Sequence, residues 1–169
     1  MNKKMSLGKK LLGKSEIGIL IPLVVICVAI GIVNINFFAI DNILDILRTS
    51  SFAFIVAVPL TYLLIAADLD LSVGAVTSLG GVVTAFSLVA GVPVLLAMLF
   101  GVLAGVVVGL LKAFIIVKGG LPSFITTLGL MYVVNGFISI TTQGMPISGF
   151  PDAFKFWGQY RVFGKIHLT

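Results

Sequence analysis

The sequence predicts an all-α fold, a polytopic bundle of about five transmembrane helices, and three observations predict it. Hydrophobic residues make up 59% of the 169 and charged residues only 10%, with a mean hydropathy of +1.23, which leaves too little polar surface to solvate a globule. The apolar residues are gathered into long runs, each near the roughly 20 residues that carry a helix across about 30 Å of hydrocarbon. The formal charge of +5 is lopsided, because Lys3, Lys4, Lys9, Lys10 and Lys14 all precede the first run. Such clusters stay cytoplasmic. The basic balance therefore points to a membrane surface and to no nucleic acid.

Residues 1–16 are read as a basic cytoplasmic N-terminus. Five runs follow, at 17–33, 52–67, 71–90, 92–111 and 121–142, making 17–142 the transmembrane region. The first run has the basic start of a secretory signal, but Asn34-Ile-Asn-Phe-Phe follows it without a small-x-small cleavage site, so it reads as an uncleaved span. Five crossings from a cytoplasmic start place Lys112 and Lys118 inside, residues 34–50 outside, Asp68 and Asp70 near the inner face, and residues 143–169 in an extracytoplasmic loop. Lys155, Arg161 and Lys165 in that last segment run against the positive-inside rule. A broken or re-entrant helix near 68–80 is the open alternative, and it would invert the parity beyond it.

Small residues let helix backbones approach in lipid. Ala97, Gly101, Gly105 and Gly109 stand at strict four-residue spacing on the fourth run, and Gly74, Ser78, Gly81 and Ala85 recur at helical spacing on the third. Both sets are read as packing seams. Pro22 and Pro59 interrupt the first two runs, and Thr61 is placed to repair the ladder near Pro59. On the fifth run Ser123, Thr127, Asn135 and Ser139 recur at multiples of four. That stripe reads equally as a wet path or as a grip on a neighbouring helix, and Asn135, with the largest polar group, is its best functional candidate.

The most unusual segment is Ala-Asp-Leu-Asp-Leu-Ser-Val-Gly at 67–74, which sets two carboxylates and a hydroxyl between apolar runs. Carboxylates within or beside a bilayer are costly and mark transport paths. Asp70 and Ser72 have two compatible roles: capping the helix that begins near Val73, and presenting a polar helix start to a cavity. Asp68 stands behind them.

Other motifs fail on context. Gly8-Lys-Lys-Leu-Leu-Gly-Lys-Ser15 matches the phosphate-binding G-x-x-x-x-G-K-[ST] string but lacks the strand and soluble domain that make the loop work. Its lysines suit anionic headgroups. Asp68-Leu-Asp70 has no second carboxylate cluster, His167 has no partner, and Cys27 stands alone in an apolar run. No catalytic residue, metal site or cofactor is predicted.

Asn36-Phe-Phe through Asp41-Asn-Ile-Leu44, the 67–74 segment, Lys118-Gly through Pro122-Ser-Phe-Ile-Thr-Thr-Leu, and Thr141-Thr-Gln-Gly-Met-Pro-Ile together resemble the permease subunits of ribose-type ABC sugar importers. Asp70-Leu-Ser-Val-Gly74 is the most recognisable string. The resemblance implies an inner-membrane permease that carries a monosaccharide or small polyol. Its implied partners are a cytoplasmic ABC ATPase, a second permease subunit and an extracytoplasmic sugar-binding protein. Three departures stand out: Ala67 and Asp68 replace two glycines usual in that family, Pro59 replaces a common glycine, and the match covers the first half only. A fragment, a split permease completed by a C-terminal half, and an inactive remnant remain open. So do a membrane scaffold and an ion-coupled carrier.

Overall fold

The computed structural model describes residues 15–159, with side chains from 17 to 155. The basic leader up to Lys14, most of the phosphate-loop look-alike, Arg161, Lys165 and His167 lie outside the described residues. Within them all regular structure is helical: α1 (Ser15–Val33), a 3-10 turn (Ile35–Phe38), α2 (Ile40–Ile65), α3 (Val73–Val89), α4 (Val94–Gly119), α5 (Ser123–Thr142) and the short α6 (Asp152–Gln159). Helices α2, α4 and α5 are long and apolar enough to cross a membrane. The apolar stretch of α1, Ile17–Val33, and helix α3 are shorter, at about 25 Å for 17 residues.

One boundary differs by twelve residues. The segment expected as an outer loop at 34–50 is helical, because its polar residues cap and line helices instead of opening a loop. Asn34 accepts from the Asn36 backbone N–H at 3.0 Å to start the 3-10 turn, and the Asn42 amide donates to the Phe37 carbonyl at 2.7 Å. Asp41 sits in the first turn of α2, where the helix dipole favours a carboxylate. Thr61 donates to the Ala57 carbonyl at 2.8 Å, which uses its hydroxyl within α2.

The chain divides at Ser51 into two compact units. In the first, the Phe38 ring fills the space over Gly31, where any side chain would collide with it. Phe37 and Phe38 stack edge to face at 5.3 Å.

The second unit is built on α3, α4 and α5. Helix α3 ends on Gly91, whose φ of +83° suits glycine, and the chain turns back into α4 behind Pro93. Ala75 and Leu79 of α3 meet Val134 of α5, with Val83, Val108, Leu130 and Met131 packed around them. Outside this small core, large apolar side chains such as Leu95 and Ile140 are about four-fifths exposed, the surface a lipid-facing bundle presents.

Helices α3 and α4 come closest at Gly80 and Gly101. A Cβ on Gly101 would run into the Thr84 hydroxyl and lie 2.5 Å from the Gly80 carbonyl oxygen. Of the stripe predicted on α4, Ala97 and Gly101 are buried, Gly105 faces Val76, and Gly109 opens onto empty space. The seam predicted on α3 is displaced by one residue. Gly74 and Gly81 are exposed, and a Cβ on either would meet nothing within 4 Å. Small residues occur on two faces of α3, and spacing alone does not say which face the neighbour takes.

Candidate functional site

The polar segment predicted to matter is a loop, residues 66–72, that leaves α2 and starts α3. It begins at a left-handed residue: Ala67 has φ +58°, its N–H bonds the Leu64 carbonyl at 3.0 Å, and the Asp68 N–H bonds the Leu63 carbonyl at 2.9 Å. This is the Schellman end that glycine usually occupies. Gly91 occupies the same place at the end of α3, with its N–H on Leu88 and the Val92 N–H on Ser87.

Three attachments then hold the loop against the bundle. Asp70 Oδ1 accepts from the Ser72 backbone N–H at 2.9 Å and from Ser72 Oγ at 2.6 Å, while Oδ2 pairs with Lys112 Nζ of α4. Lys112 Nζ also lies 3.3 Å from Ser72 Oγ. Asp68 accepts from Ser123 Oγ of α5 at 2.7 Å, and the Thr127 hydroxyl of the same helix is shared between the Leu69 carbonyl at 3.4 Å and the Phe124 carbonyl of its own helix at 3.3 Å.

Lys112 stands seven residues before the end of α4, so the ion pair is set about 10 Å in from that end along the helix axis. The Asp70 side chain is 8% exposed, and Ser72 is completely buried. Ser72 makes no side-chain cap to α3. The helix start is instead preceded by the turn in which Asp70 receives the Ser72 N–H. Neither Asp70 nor Ser72 lines either of the two cavities described next.

The cavities lie toward the other end of α3. One, of about 510 Å³, is an apolar groove between α3 and α4, walled by Val76, Leu88, Met98 and Val102 and bordered by Phe150 and Phe154. Its two hydroxyls, Thr77 and Thr84, are turned back to the carbonyls of Val73 and Gly80 at 2.8 Å. The second, of about 590 Å³, lies between α3 and α5 and is lined by Ser78, Ser139, Thr142, Met145, Ile147 and Phe150 among others.

The predicted site residues thus fall into two places. Asp68, Asp70 and Ser72 share the clamped loop, while Asn135 is exposed on α5, eight residues beyond Thr127 and about 12 Å along the axis. Sequence reasoning missed Lys112 as a site residue. Its signal was available: it is the one charge in a helix otherwise apolar from Val94 to Val117, and such a charge needs a partner.

Apolar helices of spanning length whose polar loop is tied to the bundle by an ion pair and hydrogen bonds define a multi-pass membrane protein. The family described as "Branched-chain amino acid transport system / permease component" matches residues 42–168, and the chain belongs to it. It is 36% identical over 133 residues to the ribose import permease protein of Haemophilus influenzae, covering 78% of this chain and 41% of that protein. It is 31% identical over 144 residues to the ribose import permease protein of Escherichia coli K12, covering 85% of this chain and 45% of that one. Against the autoinducer 2 import system permease protein of Yersinia pseudotuberculosis the identity is 26% over 136 residues, covering 80% and 39%. The chain therefore spans about two fifths of the length of the curated relatives it matches. No solved structure matches it.

Proposed function

We propose that this chain forms part of the translocation path of an ABC importer for a ribose-like monosaccharide or similar small polyol. The observation that carries the reading is the loop at 66–72. Polar groups in an apolar bundle are tolerated where protein satisfies them, and here Lys112 pairs with Asp70, Ser123 donates to Asp68 and Thr127 reaches the Leu69 carbonyl, with Ser72 fully buried beside them. The similarity to ribose and autoinducer 2 import permeases supports the cargo class.

In this reading the chain performs no bond chemistry. A cytoplasmic ABC ATPase supplies the energy, a second permease subunit or a C-terminal half completes the path, and an extracytoplasmic sugar-binding protein delivers the cargo. The N-terminus, Lys112 and Lys118 face the cytoplasm, in keeping with the positive-inside rule. Asp70 and Ser72 contribute by fixing the start of α3, Asp68 by tying the loop to α5, and Asn135 by facing the path.

Uptake of labelled D-ribose by cells making the chain with its transport partners tests the proposal. Uptake that disappears when the ATPase is deleted is the expected result. Uptake that survives the deletion would point to an ion-coupled carrier, and no uptake with every partner present would favour a scaffold.

A further inference from the structure

The polar stripe of α5 is divided by its partners. Ser123 and Thr127 are engaged by Asp68 and the Leu69 carbonyl, whereas the side chains of Asn135 and Ser139 hydrogen-bond to no described residue. The lower half is a grip on the loop. The upper half is unoccupied, and Ser139 lines the cavity of about 590 Å³, within the roughly 300–1,000 Å³ of small-molecule sites.

The lining chemistry selects a ligand class. Ser78 and Thr142 donate to the carbonyls of Gly74 and Ile138 at 3.0 and 2.9 Å, so their oxygens are left to accept from a ligand hydroxyl. Ser139 can both donate and accept. Phe150 offers a ring and Met145 an apolar wall, which suit the C–H faces of a sugar while the hydroxyls meet its rim. Among the described residues no charged side chain lines the cavity, and Ser139 and Thr142 stand in the last turn of α5, the end of a helix that disfavours a carboxylate. A zwitterionic amino acid would find no counter-charge among these described residues.

We infer that this cavity is a subsite for a neutral monosaccharide, with Ser78, Ser139 and Thr142 as its polar contacts and Phe150 as its apolar wall. The inference rests on the transport reading above and narrows its substrate to uncharged polyols.

Its test is sugar protection in membranes that contain the chain with its transport partners. Ser139→Cys in a Cys27→Ala background is labelled with a water-soluble maleimide, and Ser78→Cys on the facing helix is the second reporter should the first variant fold poorly. D-ribose is expected to slow labelling about threefold at twice its Kd. L-leucine should leave the rate unchanged, and Phe150→Ala should remove the protection. Labelling that ribose does not slow, in membranes whose wild-type assembly still takes up ribose, would overturn the subsite and leave the transport reading standing. Protection by leucine in place of ribose would also overturn it. Protection without any uptake would uphold the subsite and count against the transport reading.

Discussion

Asp70 and Lys112, 42 residues apart in the chain, form an ion pair that joins the start of α3 to the last third of α4. Both charges are largely withdrawn from solvent, at 8% and 19% side-chain exposure, so each depends on the other. Removing one partner leaves the other charge without compensation, which costs more than losing the pair together.

Asp70→Asn and Lys112→Met are therefore each expected to lower stability by about 2–3 kcal/mol, and the double variant to recover a large part of that loss. Unfolding midpoints in detergent for the four proteins of the cycle would measure it. Single-variant losses that simply add would show that the two charges are uncoupled.

Ala67 occupies the left-handed end of α2 with φ +58°, a conformation that crowds its Cβ. Ala67→Gly is expected to raise stability by about 0.5–1 kcal/mol, the relief of that crowding less the added freedom of glycine when unfolded. A fall in the unfolding midpoint would contradict the turn geometry.

Two glycines on one stripe should behave in opposite ways. Gly101→Ala drives a methyl group into Thr84 and the Gly80 backbone, and backbone does not yield as a flexible side chain does. A loss of about 2–3 kcal/mol is expected. Gly109→Ala meets nothing within 4 Å and should be neutral or stabilising by up to about 1 kcal/mol through helix propensity. Parallel thermal melts of the two variants decide the point.

Thr126 carries a buried hydroxyl with no hydrogen-bond partner among the described residues. Thr126→Val keeps the shape and removes the unsatisfied group, so a gain of about 1 kcal/mol is expected. A comparable loss would mean that the hydroxyl is satisfied by a water or a neighbouring chain.

Much of this was legible in the residues. Hydropathy located all five apolar helices, and the pair of carboxylates in 67–74 marked the loop that the bundle clamps. The glycine that the resemblance implies at position 67 gains a reason in the left-handed φ of Ala67. What was not legible depended on neighbours. Periodicity showed that α5 carries a polar stripe, but the division between Thr127, which grips the loop, and Ser139, which lines a cavity, appears only when α3 and the loop are placed beside it. For the same reason the seam on α3 was read at Gly74 and Gly81 when the contact runs through Gly80, and the charged start of α2 was read as a loop because Asp41, Asp45 and Arg48 look solvated in isolation.

The division of α5 is the claim on which the path depends, and cysteine reactivity along one helix tests it directly. In a Cys27→Ala background, Asn135→Cys and Ser139→Cys should react readily with a water-soluble maleimide in native membranes, while Thr127→Cys, at a position 1% exposed, should stay inert. Uniform silence at Asn135 and Ser139 would mean that lipid or packed protein covers the whole stripe, and the proposed path would have no water in it.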